Sequence, residues 1–311
     1  MTSNKIPVGR VIKETFGFAF GRYFTVLGIT WLPTLLIVAA VYVMLHPFLA
    51  SFAQLATLKQ MMNGSQPPVA IPNTGLLWLC EIAIFFLYAW IGVGVAKEIL
   101  GLRTGPRFVY LPGKDELHAL LSLFVVFLIA YAAIVAVTIV ALVIGVIVVL
   151  AMGGANANFS PQALKALLPW GILFLVVVEI VFIYVLIRLT HLIIPYTVTK
   201  KRIVLFDSWT TMRGNVLRAL IIGLVCSLPF IAIEAVLAVM FIVPVMVQVA
   251  SLPDPSQTKA VLDTAIHQWA QYFPLYVAAL AALAPFLAGL MGAPAIFAYR
   301  AIVPPSAAAQ K

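Results

Sequence analysis

The amino-acid sequence predicts an all-α integral membrane protein: a bundle of six membrane-spanning helices edged by amphipathic interfacial helices. Hydrophobic residues make up 64% of the 311 residues and charged residues only 9%, which is far too little charge to cover the surface of a water-soluble fold. Six long apolar stretches occupy most of the chain, and each can cross about 30 Å of hydrocarbon. The basic residues cluster in alternate connecting segments, as is typical of multi-pass membrane proteins.

Fifteen of the 19 Lys and Arg residues fall on one side of this six-span arrangement. The connecting segments on the opposite side carry one basic residue each. The fifteen are Lys5, Arg10, Lys13, Arg22, Lys97, Arg103, Arg107, Lys114, Lys200, Lys201, Arg202, Arg213, Arg218, Arg300 and Lys311. Because short loops rich in Lys and Arg stay in the cytoplasm, this bias predicts that both termini are cytoplasmic.

The apolar stretches predict a single transmembrane domain over residues 1–311, with no separate soluble domain. The spans are expected at about 24–46, 75–99, 118–152, 169–198, 216–250 and 273–300. The third and fifth are long, since thirty-odd helical residues reach about 50 Å. We therefore expect the third span to tilt or project from the bilayer, and the fifth to kink at Pro229 or Pro244.

Four connecting segments are predicted to form amphipathic helices in the membrane interface. Apolar residues recur at helical spacing over 8–23 and again over 205–216, both on the basic side. Similar stripes cover 161–168 and 262–273 on the opposite side. Such stripes usually anchor and orient a membrane protein, and the alternative is a surface for a partner protein or a lipid.

The sixth span carries a stripe of small residues, which are Ala281, Ala284, Ala288, Gly292 and Ala295. Small side chains let helices approach closely in lipid. This pattern predicts tight helix packing, either within the chain or between subunits.

A parallel internal repeat is also predicted, because an aromatic residue and a following glycine recur at a constant spacing. The first two copies match best, and the third shares only the aromatic residue and the glycine. They are Thr15-Phe16 with Gly21, Ser208-Trp209 with Gly214, and Arg107-Phe108 with Gly113. Each copy would be one interfacial helix followed by a two-span hairpin.

Residues 208–215 read Ser-Trp-Thr-Thr-Met-Arg-Gly-Asn. This stretch resembles the Ser-Trp-x-Leu-x-Arg-Gly-Asn signature of poorly characterised bacterial six-helix inner-membrane proteins, with Thr211 where that group usually has Leu. The group resembles the membrane domain fused to some glycerophosphodiester phosphodiesterases. The resemblance implies a helical protein of the bacterial inner membrane. It implies no catalysis, because those enzymes keep their chemistry in a separate soluble domain that begins with His-Arg.

The signature also has a physical interpretation of its own. Trp209 suits the headgroup layer, since its ring is apolar and its N–H needs a polar partner. Gly214 is expected to take a left-handed conformation that ends a helix. The candidate contacts to lipid headgroups are Arg10, Lys13, Trp209, Arg213 and Arg218, and a purely structural role is the alternative for the signature residues.

A candidate intramembrane polar site comprises Glu179, Arg188, His191 and Glu234, because ionisable groups inside a span are costly. Glu179 and Arg188 are nine residues apart, on opposite helix faces, and cannot pair with each other. Arg188 and His191 share a face, and Glu234 could reach Arg188 from the fifth span. Three alternatives are open for these residues. They could pair across helices and fix the packing, line a path for protons, ions or solutes, or include an unpaired, protonated carboxyl.

No catalytic residue, metal site or cofactor is predicted. The sequence has no Gly-x-Ser-x-Gly, no phosphate-binding loop and no His-Glu-x-x-His. Cys80 and Cys226 lie in apolar runs and are expected to be buried thiols. The net charge of +9 sits at the membrane ends of the spans, so no nucleic-acid partner is expected.

The predicted function is therefore non-enzymatic: a lipid-associated or scaffolding protein that maintains the cell envelope. The expected partners are membrane lipids with anionic headgroups, a second copy of the chain, or another membrane protein. The alternative is a secondary transporter or channel that uses Glu179, Arg188 and Glu234.

Overall fold

The computed structural model describes residues 5–55, 74–105, 110–151, 161–237, 239–240, 243, 247 and 258–303. The described helices are α1 (Val8–Gly21), α2 (Tyr23–Leu55), α3 (Thr74–Ile99), α4 (Lys114–Ala151), α5 (Pro161–Thr190), α6 (Ile193–Lys200), α7 (Asp207–Thr211), α8 (Val216–Leu237) and α9 (Thr258–Ile302). Six segments of these helices are long and apolar enough to cross a membrane. The predicted all-α, six-span fold is confirmed.

The six crossing segments overlap the six predicted spans. They are Tyr23–Ala40, Leu79–Ile99, Lys114–Ala141, Gly171–Lys200, Val216–Ile233 and Ala281–Ile302. The third span is one 38-residue helix about 57 Å long, more than a bilayer needs. In the fifth span, Pro229 lies inside α8, whereas Pro244 lies outside the described residues.

Three predicted segments differ in detail from the helices of the structure. The fourth span was expected over 169–198 and lies at Gly171–Lys200, but its helix breaks at His191 and Leu192, between α5 and α6. The stripe over 262–273 was expected as a separate interfacial helix, but it continues into the sixth span as one 45-residue helix, α9. The stripe over 161–168 likewise runs on as the start of α5.

One end of the bundle carries the starts of α1, α4, α7 and α8 and the ends of α3, α6 and α9, and we call it the basic end. The largest hydrophobic core lies there. It joins α1, α3, α6, α8 and α9 through Val11, Val93, Val198, Ile222 and Ile296. Cys80 and Cys226 are free and buried, as predicted.

Helix α1 forms as predicted, but much of its apolar stripe faces protein. Val11, Thr15 and Ala19 are buried, and α1 crosses α9 so closely that a Cβ on Gly289 would lie 3.1 Å from the Cα of Ala19. The Tyr23 hydroxyl donates to the carbonyl of Ala282 at 2.6 Å. This contact fixes the junction of α1 and α2 against the sixth span.

Two of the small residues in the stripe of the sixth span, Ala288 and Gly292, pack within the chain. A Cβ on Gly292 would lie 3.4 Å from Cγ1 of Val95 in α3, and Ala288 packs against the main core. By contrast, the middle of α5 is largely exposed, as is the span part of α4 from residue 127 onward.

Candidate functional site at the basic end

The guanidinium of Arg188 is held by the Trp of the Ser-Trp motif. Arg188 lies in the last turn of α5, where a cation also complements the helix dipole. Its Cζ is 3.9 Å from the centroid of the Trp209 ring, a cation–π distance. Its Nε donates to the carbonyl of Trp209 at 3.0 Å, and its Nη1 lies 3.4 Å from the Tyr184 hydroxyl.

The Ser208 side chain forms hydrogen bonds with backbone groups on both sides of the break between α5 and α6. A break leaves backbone N–H and C=O groups without helical partners. The Leu192 N–H donates to Ser208 Oγ at 3.2 Å, and Ser208 Oγ donates to the carbonyl of Arg188 at 2.9 Å. The Ser-Trp pair of α7 therefore holds both the side chain and the backbone of Arg188.

The predicted intramembrane polar site is only partly assembled. Arg188 and His191 lie within one turn, and His191 is half-buried with no partner for its Nε2 among the described residues. The Glu179 side chain is exposed and forms no ion pair within the described part of the chain. Glu234 lies in α8, but its side chain is outside the described residues.

Asn215, the last residue of the 208–215 signature, and the following Arg218 bind the N-terminal segment. The buried Ile6 donates its N–H to Asn215 Oδ1 at 2.9 Å, and its carbonyl accepts from Arg218 Nη1 at 2.9 Å. Gly214 has φ +77°, which confirms the predicted left-handed turn and places Asn215 at the start of α8. Arg218, predicted as a lipid contact, thus has a partner within the protein, whereas Arg213 is exposed.

A buried charge cluster joins the end of α3 to the start of α4. Glu116 is fully buried, and its carboxylate accepts from the Gly113 N–H at 2.6 Å, as in a capping box. Lys97 Nζ lies 3.1 Å from Glu116 Oε1 and 2.9 Å from Asp115 Oδ2. The Tyr110 hydroxyl also donates to Glu116.

The same cluster sets the protonation of Tyr110. Burial and the hydrogen bond to Glu116 raise the pKa of Tyr110 well above its usual range, so its hydroxyl stays protonated and remains a donor at alkaline pH as well. No motif in the sequence predicts this cluster. Its only local signal was a pair of acids in the first turn of α4, after Gly113.

Each connecting segment that precedes a hairpin is bound to another hairpin. The segment before α2 is held by Asn215 and Arg218 of the α8–α9 hairpin. Helix α7 contacts α5, in the α4–α5 hairpin. The segment before α4 returns to the first hairpin, where Arg103 donates to the carbonyl of Thr25 at 3.4 Å and Tyr110 packs with Ile29. The first segment contacts the third hairpin, the third segment contacts the second hairpin, and the second segment contacts the first hairpin. These contacts link the three segments in a closed ring.

The predicted repeat is only partly matched by local structure. Thr15 and Ser208 are both fully buried, at equivalent positions of the first two copies. Among the described glycines, however, Gly214 has a positive φ and Gly21 does not. Arg107 and Phe108 of the third copy lie outside the described residues.

Other basic residues at this end point outward. Several have exposed side chains that form no ion pair or hydrogen bond with the described residues, including Arg10, Lys13, Lys201, Arg202 and Arg213. Large apolar side chains nearby in the sequence are also exposed, including Phe20, Phe24, Phe206 and Leu217. The basic end therefore presents cations and apolar side chains together.

Residues 201–206 present part of this surface from a firmly held loop. Val204 is buried, and its N–H donates to Ser122 Oγ of α4 at 2.9 Å. Lys201, which follows α6, has φ +52°, alone among the described non-glycine residues. The anchored Val204 leaves Arg202 and Phe206 facing outward.

Among the described residues, no group of three or more His, Cys, Asp and Glu is placed to hold a metal ion. The polar groups brought together at the basic end mainly bind the protein's own backbone and side chains, and the outward cations lack such partners. No family model, curated protein or solved structure matches this chain.

Proposed function

We propose that this multi-pass protein is non-enzymatic and that its basic end binds anionic lipid headgroups in the cytoplasmic leaflet of the bacterial inner membrane. The supporting observation is the surface on which exposed cations stand beside exposed Phe20, Phe24 and Phe206. Apolar side chains of this kind insert between acyl chains, while Lys and Arg contact phosphates. Organising lipid, or holding a partner at the lipid surface, would then support the envelope.

The basic residues fall into two groups, those whose side chains have partners within the protein and those whose side chains have none among the described residues. Lys97, Arg103 and Lys200 form ion pairs, and Arg188 and Arg218 bind backbone carbonyls. Electrostatic attraction to lipid therefore depends on the exposed cations whose side chains have no such partner among the described residues, including Arg10, Lys13, Lys201, Arg202 and Arg213.

The alternative of a transporter or channel needs Glu179, Arg188 and Glu234 to line one path. The Arg188 guanidinium is bound to Trp209, and the Glu179 side chain lies on the exposed surface of α5. The described geometry therefore favours the lipid-binding role.

Neutralising three outward cations should weaken lipid selection. In the variant Lys201→Gln, Arg202→Gln, Arg213→Gln, the ratio of phosphatidylglycerol to phosphatidylethanolamine that co-purifies in mild detergent should fall at least threefold, because each cation contributes about 1 kcal/mol near an anionic surface. Lipid mass spectrometry measures this ratio. The control is the variant Lys201→Arg, Arg202→Lys, Arg213→Lys, which keeps the charge and should keep the ratio. An unchanged ratio in the neutral variant would contradict the proposal.

The cytoplasmic orientation has a separate test. Green fluorescent protein fused after Lys311 should fluoresce in bacterial cells, because the loop bias places that end in the cytoplasm. Alkaline phosphatase fused at the same position should show little activity. The matched fusions after Asn158, in an outer connecting segment, should give the reverse pattern, and an active phosphatase after Lys311 would contradict the orientation.

A further inference from the structure

Arg188 lies at the perimeter of the bundle. The side chains of α5 are exposed over most of the stretch from Gly171 to Tyr184, and Arg188 follows one turn after Tyr184. Ser208 and Trp209 of α7 cover one side of Arg188. One and two turns before Arg188 in α5, the side chains of Tyr184 and Val181 are exposed.

The Arg188 guanidinium is held in place, but only some of its N–H donors have a partner among the described residues. Stacking on Trp209 and the Nε bond to the Trp209 carbonyl fix its plane and one edge. The contact of Nη1 with Tyr184 is long, at 3.4 Å, and Nη2 has no partner among the described residues. No carboxylate in the described part of the chain forms an ion pair with Arg188. The result is an ordered cation with open N–H donors and no counter-charge among the described residues.

An ordered guanidinium fork matches a phosphate group, because two N–H donors can bind two phosphate oxygens at once. The ordering also lowers the entropy cost of binding. The surroundings indicate which phosphate compound fits. Val181 and Tyr184 of α5, and Phe206 before α7, are exposed, and they offer a surface for hydrocarbon chains beside the cation.

We propose that Arg188, Trp209 and Tyr184 form a specific site for the phosphate of one membrane phospholipid, whose acyl chains lie along the exposed face of α5. This proposal rests on the proposed lipid-binding function and adds one specific site to it. The outward cations would enrich many exchanging lipids, whereas this site holds a single lipid.

The first experiment counts tightly bound lipids by native mass spectrometry of the full chain released from mild detergent. The wild-type protein should retain one phospholipid, and Arg188→Gln should lower its occupancy at least tenfold. Arg188→Lys should retain it only partly, because Lys lacks the planar fork. Arg202→Gln is the matched control and should retain it fully. Equal occupancy in wild-type protein and Arg188→Gln would overturn the site, even if the Lys201, Arg202 and Arg213 variant still lost its lipid enrichment.

A second experiment leaves Arg188 intact, so it does not depend on how well an Arg188 variant folds. A photo-crosslinking residue replaces the exposed Val181, and the lipid that it captures is competed with phosphatidylglycerol, diacylglycerol or inorganic phosphate. Phosphatidylglycerol should reduce the crosslink at least tenfold more effectively than diacylglycerol, which lacks the phosphate. Equal competition by diacylglycerol would overturn the phosphate contact. Displacement by millimolar inorganic phosphate alone would show that the site binds free phosphate, and it would overturn the proposal that its ligand is a phospholipid.

Discussion

Replacing Glu116 with Ala should lower the melting temperature of the detergent-solubilised protein by roughly 5–10 °C. The carboxylate is fully buried and accepts hydrogen bonds from Gly113 and Tyr110 beside Lys97. Removing one member of a buried, hydrogen-bonded ion pair typically costs about 3–5 kcal/mol, because its partners stay buried. Asp115 still faces Lys97 at 2.9 Å, so we expect the lower part of that range.

The matched control for this prediction is Glu14→Ala, because Glu14 is an exposed Glu of α1 and its loss should shift the melting temperature by less than about 2 °C. Glu116→Gln keeps an acceptor for the Gly113 N–H and should fall between the two. Equal melting temperatures for Glu116→Ala and Glu14→Ala would show that the buried cluster does not stabilise the fold.

Replacing Gly289 with Val should disturb the close packing of α9 against α1. A Cβ at this position lies 3.1 Å from both the Cα and the Cβ of Ala19, and a backbone atom cannot move aside as a flexible side chain can. Overpacking of this kind costs about 1–3 kcal/mol or more. We expect a melting temperature lower by roughly 5 °C or more, with less monodisperse protein recovered in size-exclusion chromatography.

Gly223→Val is the matched control for the packing prediction. Gly223 is also inside a membrane-spanning helix, and a Cβ there meets nothing within 4 Å. The two substitutions therefore change helix propensity and hydrophobicity alike and differ in the space available. If both variants melted at the wild-type temperature, the close crossing of α1 and α9 would be wrong.

The six-span fold could be predicted because length and apolarity alone identify a membrane-spanning helix. The left-handed Gly214 could also be predicted, since a local motif determines its conformation. The break at His191 and Leu192 could not. Pro195 lies after the break, and Ser208, which satisfies the open backbone groups, lies 16 residues beyond Leu192. That contact depends on tertiary folding.

The partners of the polar residues were harder to predict than their positions. The sequence marked Arg188 as unusual for its place in an apolar stretch and offered Glu234 as one candidate partner, whose side chain lies outside the described residues. The structure shows an aromatic ring and a carbonyl as partners of Arg188, which no spacing rule reveals. Similarly, Arg213 and Arg218 are alike in sequence context, but only Arg218 reaches the Ile6 carbonyl.

The closed ring of connecting segments has a consequence for biosynthesis. The N–H of Ile6 and its acceptor Asn215 are 209 residues apart, so the first segment of the chain meets its partner only after two complete hairpins and the start of the third have been made. Until then, the backbone groups of Ile6 must be satisfied by water or by the insertion machinery. The segment around Ile6 is therefore among the last parts of the protein to reach its final place, although it is synthesised before all three hairpins.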